Sequence, residues 1–224
     1  MIVRENEPIT LIGGAAVTLT LLARARALAP IIVAADGGAD AALAHGAMPQ
    51  AVIGDFDSIS EDARARIPTA AQYPIADQDS TDFDKCLGNI ASPLIIGIGF
   101  SGDRLDHQLA AYNTLVRHPW RRCILLGREE LIFLAPPSID INLEADCPIS
   151  LFPMGAVEGI SDGLAYPIGG LNFAPDGRVG TSNTALGPVH LSVTAPKMLV
   201  ILPQSTFEEA ARALGATSAR WPGP

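Results

Sequence analysis

Aspartates recur at short spacing in four places in this sequence. They are Asp36-Gly37-Gly38-Ala39-Asp40, Gly54-Asp55-Phe56-Asp57-Ser58, Asp77-Gln78-Asp79-Ser80-Thr81-Asp82 and, beside a cation, Arg104-Leu105-Asp106-His107. Two carboxylates as near as Asp55 and Asp57 repel each other unless a cation lies between them or one takes up a proton. In extended backbone their i,i+2 spacing turns both to the same side. Hard divalent ions take oxygen ligands, and magnesium commonly combines one or two carboxylates with the phosphates of a substrate. The chemistry implied is the handling of a metal-chelated polyphosphate. Arg104 is the natural clamp for it, because a planar guanidinium matches phosphate oxygens and keeps its charge.

Each cluster also has a local reading. Asp36 can cap the helix that follows it, and Asp55 and Asp57 can form a solvated acidic turn. Asp79 or Ser80 can cap the next helix, with Asp82 in its first turn, where the dipole favours negative charge. Lys85 can pair with Asp82 at i,i+3 or reach a phosphate. Asp106 can cap a helix whose first turn His107 covers. Gly13-Gly14 lacks the spacing of a dinucleotide fingerprint or a Walker loop and supports only a generic phosphate-facing turn.

What joins the clusters is their place in the chain, since each follows an apolar run and precedes a helical pattern. Ile9–Ile12, Ile31–Ala35, Ala51–Ile53, Gln72–Ile75 and Leu94–Ile98 read as strands, and Cys123–Leu126 as the last of this half. Thr18–Leu28, Ala39–His45, Thr81–Ile90 and Leu105–Val116 read as helices. The alternation predicts an open, mainly parallel α/β sheet. Ligands of such sheets bind outside the carboxyl ends of the strands, where all four clusters would converge as a ring of carboxylates with one or two bases. Near residue 127 the texture changes to short β-type runs broken by Gly, Pro, Asn and Asp, including Ile149–Phe152, Val189–Thr194 and Met198–Leu202. An α/β domain over 1–127 and an all-β sandwich or roll over 128–224 are therefore expected.

With 224 residues, 48% of them hydrophobic, the chain can bury its own cores without disulfides. Cys86, Cys123 and Cys147 are odd in number and far apart, which fits a reducing, cytoplasmic setting. The apolar stretch from Ile9 to Leu22 follows Arg4, Glu5 and Glu7 and is broken by Gly13 and Gly14, so neither a signal peptide nor a membrane span is expected. A formal net charge of −9 argues against binding nucleic acid. It also means that anionic ligands need a metal ion as intermediary, and it would favour an organic cation as co-ligand.

Taken in order, the four clusters resemble the signature of the thiamine pyrophosphokinase family. Gly163-Leu164-Ala165-Tyr166-Pro167 and Gly180-Thr181-Ser182-Asn183 resemble that family's C-terminal motifs. The resemblance implies an N-terminal α/β domain for ATP and Mg2+, a C-terminal β-sandwich, and a homodimer with thiamine bound between subunits. It places Asp55, Asp57 and Asp79 on the metal, Asp77 and Asp82 on metal or substrate, and Arg104 on the transferring diphosphate. Asp36, Gly37, Gly38, Lys85 and Asp106 fall on the nucleotide side, and Gln78, Asp82, Ser182 and Asn183 on the thiamine side. Two positions depart from the pattern. Asp103 replaces a small residue before the arginine, and Val200 stands where some relatives have a tryptophan, a place that Trp221, in a segment read as a loose tail, could fill.

Without the C-terminal motifs, the acids alone would suit a pyrophosphokinase acting on another alcohol, such as a hydroxymethyl pterin. They would equally suit a non-catalytic nucleotide sensor. The Ser182-Asn183 motif favours thiamine.

Overall fold

The computed structural model describes residues 1–102 and 104–223, so Asp103 lies outside the described residues. The chain is mixed α/β and divides into two compact units, Met1–Thr114 with Leu125–Gly127, and Leu115–Ile124 with the segment from Arg128 onward.

The first unit carries β1 (Val3–Arg4), β2 (Ile9–Ile12), α1 (Leu19–Leu28), β3 (Ile31–Ala35), α2 (Gly38–Ala44), β4 (Ala51–Gly54), α3 (Glu61–Arg66) and β5 (Gln72–Pro74). After these come α4 (Asp82–Asn89), β6 (Ile90–Ala91), β7 (Ile95–Ile98), the start of α5 (Leu105–Arg117) and the end of β8 (Cys123–Leu126). Strands run in the order β8-β7-β2-β3-β4-β5. The β7–β2, β2–β3, β3–β4 and β4–β5 pairs are all parallel. Every residue of β2, β4 and β7 is buried. Helices flank such a sheet on both faces, which is why these strands read as unbroken apolar runs rather than as alternation.

Helix starts are set by side-chain caps. Thr18, Ser60 and Thr81 each accept a hydrogen bond from the backbone N–H three residues on, opening α1, α3 and α4. Helix α3 was not among the expected elements. It is six residues long and buries only Ala63, so no apolar stripe announces it, although its acidic first turn and basic last turn suit the helix dipole.

The second unit is built on β9 (Glu130–Leu134), β10 (Ser138–Ile141), β11 (Pro148–Pro153), β12 (Val157–Leu164), β13 (Asn172–Phe173), β14 (Gly180–Val193) and β15 (Met198–Pro203). All the pairings among these strands are antiparallel. Strand β14 changes partners along its length, pairing with β11 over residues 180–184 and with β10 over residues 189–192. Between those stretches Gly187 has φ +142 and precedes Pro188, which allows the strand to turn.

Two expectations for this unit are corrected. It is not all-β, because α6 (Phe207–Ala216) follows β15 and buries Phe207, Ala210, Ala211 and Leu214 at helical spacing. Nor is residue 221 in a loose tail, since the Trp221 indole donates to the Ala135 carbonyl at 2.9 Å. Arg122 likewise ties down the end of α6 by donating to the carbonyls of Gly215, at 3.1 Å, and Thr217. Val200 is fully buried, paired with Phe133 on β9 and Leu151 on β11.

Candidate metal centre

Strands β3 and β4 are parallel neighbours, so the residues just beyond their carboxyl ends, Asp36 and Asp55, arrive side by side. The junction is tight. A Cβ on Gly54 would lie 2.6 Å from Asp36 Cβ and 3.0 Å from Asp82 Oδ1, so only glycine lets the three carboxylates gather there. Gly38 has a similar role at the start of α2, where a Cβ would come within 2.0 Å of the Ile12 carbonyl oxygen.

Asp36 is 1% exposed and does not cap its own helix. Gly37 occupies the cap position with no side-chain bond, and Asp36 instead accepts from the backbone N–H groups of Ser58, at 3.0 Å, and Ile59, at 3.2 Å. It thereby latches the loop after β4 to the end of β3. Asp40 repeats the device one turn on, accepting from Ser60 N at 3.0 Å and from the Ser60 hydroxyl. Nothing in the local sequence distinguishes such latches from helix caps, because both use an aspartate at a strand-to-helix turn.

The loop they hold is not extended, contrary to the i,i+2 expectation. Phe56 has φ +67, a left-handed conformation that costs an L residue energy and is retained where surrounding structure enforces it. Its ring packs on the core cluster of Ala34, Leu43, Val52, Ile59 and Ile67, with the Arg64 guanidinium 5.5 Å from the ring centroid. The Asp55 and Asp57 carboxylates therefore meet across a turn, with Asp57 N donating to Asp55 Oδ1 at 3.3 Å. Asp36, Asp55 and Asp57 offer ligand oxygens that all lie within 4.8 Å of one another, the one such triplet of metal-ligating side chains among the described residues. Asp36 joins it in addition to the expected Asp55 and Asp57, and Asp79 lies outside it.

From the third cluster, α4 supplies Asp82 and Lys85. The Lys85 ammonium donates to Asp55 Oδ2 at 2.7 Å and to Asp82 Oδ1 at 3.1 Å, with its side chain 2% exposed. Of the two uses left open for Lys85, the pairing with Asp82 is present, and the contact with Asp55 is additional. Gln78 Nε2 reaches Asp55 Oδ2 at 3.4 Å, which brings the 77–80 loop to the same place. Within that loop Asp77 accepts from Asp79 N at 3.0 Å and from the Ser80 hydroxyl, and neither Asp79 nor Ser80 caps α4, since Thr81 does.

The electrostatics follow from this packing. Burial, reinforced by the charge of Asp82 and the neighbouring Asp57, raises the Asp36 pKa to about 6 against the opposing pull of the Ser58 and Ile59 N–H groups. The hydrogen bond from Lys85 holds the Asp55 carboxyl below its usual range, against some desolvation. For Lys85, burial opposes the charge, but the hydrogen bonds and charges of Asp55 and Asp82 together outweigh it and raise its pKa.

Arg104 and Asp106 stand apart from this network. They pair with each other at 3.2 Å and 2.6 Å, both largely exposed, and each strengthens the other's charge. Their loop is anchored from behind by Phe100, whose ring lies 4.3 Å from that of Phe83 on α4. Gly13 N donates to Ile98 O at 2.8 Å and Ala15 N to Gly99 O at 2.9 Å, so the turns after β2 and β7 touch. His107 is exposed.

Ser182 and Asn183 belong to the second unit. Ser182 is not in a hairpin turn but in a bulge of β14. Between the pairs Ile149–Asn183 and Leu151–Gly180, β11 advances two residues while β14 advances three, and Ser182 takes φ +61. Asn183 is 6% exposed and spends its amide on structure, accepting from Tyr166 N at 3.1 Å and Thr184 N at 2.9 Å and donating to Tyr166 O at 2.8 Å. The two C-terminal motifs are thus one construction, with Ala165 and Tyr166, just past the end of β12, buckled to the bulged strand.

The donor set of the triplet is all oxygen, and carboxylate oxygens keep a second lone pair after accepting one hydrogen bond, so the residues present fit a hard divalent cation. Fold and site together define an α/β protein with an acidic crevice at the carboxyl ends of a parallel sheet. Residues 23–125 match the family model for the thiamin pyrophosphokinase catalytic domain, a segment that holds every candidate residue except Ser182 and Asn183. Over that segment the chain is similar to the catalytic domain of the thiamine pyrophosphokinases.

Among curated relatives, thiamine pyrophosphokinase 3 of Oryza sativa subsp. japonica is 30% identical and thiamine pyrophosphokinase 1 of Arabidopsis thaliana 31% identical, each over 154 residues and 60% of this chain. The match spans 58% of those relatives' own length. In fold the chain is similar to yeast thiamin pyrophosphokinase, with TM-score 0.73, 17% identity, and coverage of 89% of this chain and 87% of that one. It is also similar to thiamine pyrophosphokinase from Bacillus subtilis, with TM-score 0.70, 24% identity, and coverage of 88% and 98%.

Proposed function

We propose that the protein transfers a diphosphate from ATP to the hydroxyl of thiamine, giving thiamine diphosphate and AMP. The observation that carries this reading is the Asp36–Asp55–Asp57 triplet, walled by Lys85 and Asp82, within a segment of this family. Bound there, Mg2+ supplies the charge neutralisation that brings a polyphosphate into an acidic crevice. Asp55 and Asp57 would hold the ion, with Asp79, from the loop that Gln78 brings to Asp55, as a further ligand. Asp77 supports that loop from inside, and Asp82 and Gln78 face the substrate side. Arg104 gives up Asp106 as partner and closes its fork on the diphosphate oxygens. Asp36, Gly37 and Gly38 shape the nucleotide-facing turn.

The thiamine hydroxyl attacks the β-phosphorus in line and AMP departs, a step that depends on positioning and charge stabilisation more than on a strong base. On the acceptor side, Ser182 stands exposed at its bulge while Asn183 fixes the loop beside it. The second unit then acts as a β-sandwich whose switching strand β14 forms the thiamine-binding edge. A homodimer completes the site, and the setting is cytoplasmic. No helix among the described residues is long and apolar enough to cross a membrane.

The test is a product assay with ATP, Mg2+ and either thiamine or a hydroxymethyl pterin. Stoichiometric AMP and thiamine diphosphate support the assignment. Turnover of the pterin alone would replace it, and no AMP with either acceptor would leave a nucleotide sensor.

A further inference from the structure

The carboxylates of the crevice already have a cation of their own. Asp36, Asp55, Asp57 and Asp82 converge on a small volume, and the one ammonium placed among them is that of Lys85. It is carried on α4, where Phe83, Asp84, Cys86 and Leu87 are buried with it, so that a full turn of the helix is enclosed. Its backbone N–H is committed to Thr81 O at 2.9 Å and its carbonyl accepts from Asn89 Nδ2 at 3.0 Å, so the lysine is fixed at both ends. A side chain that is 2% exposed, with two of its three N–H donors held by carboxylates, has almost no surface to offer an incoming phosphate.

We infer that Lys85 is the crevice's resident counter-cation, which holds Asp55 in place and lowers the affinity of the nucleotide-free protein for a divalent ion, rather than a phosphate ligand. A divalent ion at the triplet must share Asp55 with an ammonium 2.7 Å from its Oδ2, and like charges this close in a partly desolvated site repel strongly. Without the ammonium, Asp55 and Asp82 would be left as neighbouring carboxylates that need a proton or a cation. Lys85 thus makes the crevice a poor free-ion site, so the ion is retained when phosphate oxygens complete its ligand set. The inference rests on the divalent-cation reading of the proposed function and adds to it how metal occupancy is regulated.

The experiment is a titration of the metal-free protein with Mn2+, without nucleotide or thiamine, read by electron paramagnetic resonance of the free ion. Lys85→Gln is expected to bind Mn2+ about tenfold more tightly than the parent, or more, and Lys85→Arg, which keeps the charge, to bind like the parent. Equal or weaker binding in Lys85→Gln, including no binding in either protein, overturns the inference. Should Lys85→Gln fail to fold, the comparison moves to Asp82→Asn against Asp82→Asn with Lys85→Gln, where one acid leaves together with the cation. Tighter binding in the double variant supports the inference, and equal or weaker binding overturns it. A failed transfer assay does not touch this titration, and a failed titration leaves the transfer assignment standing.

Discussion

The crevice around Asp55 and the start of α5 around Arg104 both pair acids with a base, yet they are built in opposite ways. In the crevice every charge has a fixed place. Lys85 is buried between two carboxylates, Asp36 is latched to two backbone N–H groups, and Gly54 leaves no room for adjustment. At α5, Arg104 and Asp106 are exposed, and the guanidinium is paired with the Asp106 carboxylate. Under the proposed function, the difference would separate a preorganised ion site from a phosphate clamp that changes partner when its ligand arrives.

The largest contrast should appear between two neighbouring acids. Asp57 is exposed, whereas Asp55 is mostly enclosed and anchors Lys85. Asp57→Ala is expected to lower kcat by about 100-fold or more, as removal of a group stabilising transition-state charge does, with the thermal midpoint unchanged. Asp55→Ala should lose activity at least as severely and also destabilise the fold by about 1–3 kcal/mol, because a buried ammonium loses a charged partner. Rates with parallel thermal melts check both, and equal melting points for the two variants would erase the proposed distinction.

Next in size, Arg104→Ala should cut kcat/KM for ATP by about 10-fold or more while leaving the melting curve where it was, since an exposed pair contributes little to folding. A clear drop in melting temperature would mean that α5 is braced by this pair rather than fitted to clamp a ligand.

The smallest effect concerns pH. Asp36 has a raised pKa in the fold, about 6 against 3.8, so the native state favours its protonated form. That contribution is full below about pH 4 and disappears as pH rises through 6, amounting to about 3 kcal/mol at most. Asp55, with its lowered pKa, acts in the opposite sense and only below about pH 4, where its stabilisation is lost as pH falls. Urea midpoints of the metal-free protein should therefore decline between pH 4 and 6, and Asp36→Asn should flatten the decline. A parent midpoint that rises steadily across that window would show that Asp36 is ionised throughout.

How much of this was legible in the sequence depends on what each element must bury. Ile9–Ile12 and Ile31–Ala35 match their strands to the residue because a doubly covered parallel strand is an unbroken apolar run. Helix α3 escaped because it buries a single alanine. Helix α6 escaped for another reason, since its apolar residues at 207, 210, 211 and 214 have a clear helical period but sit within a stretch dominated by strand signals. At the site, the acids announced themselves by type and spacing. The left-handed Phe56, the latch role of Asp36 and the bulge at Ser182 did not, because each depends on residues distant in sequence. Ser58 reaches Asp36 across 22 positions, and the bulge exists only opposite β11.

The most direct test of the central claim, that Asp55 and Asp57 hold the ion that carries the nucleotide, is a quantitative product analysis after incubation with ATP, thiamine and Mg2+, run with and without a chelator and repeated for Asp57→Ala. The account predicts AMP and thiamine diphosphate in equal amounts from the parent protein, and neither after chelation or in the variant. ADP with thiamine monophosphate, or undiminished product from Asp57→Ala, would contradict it.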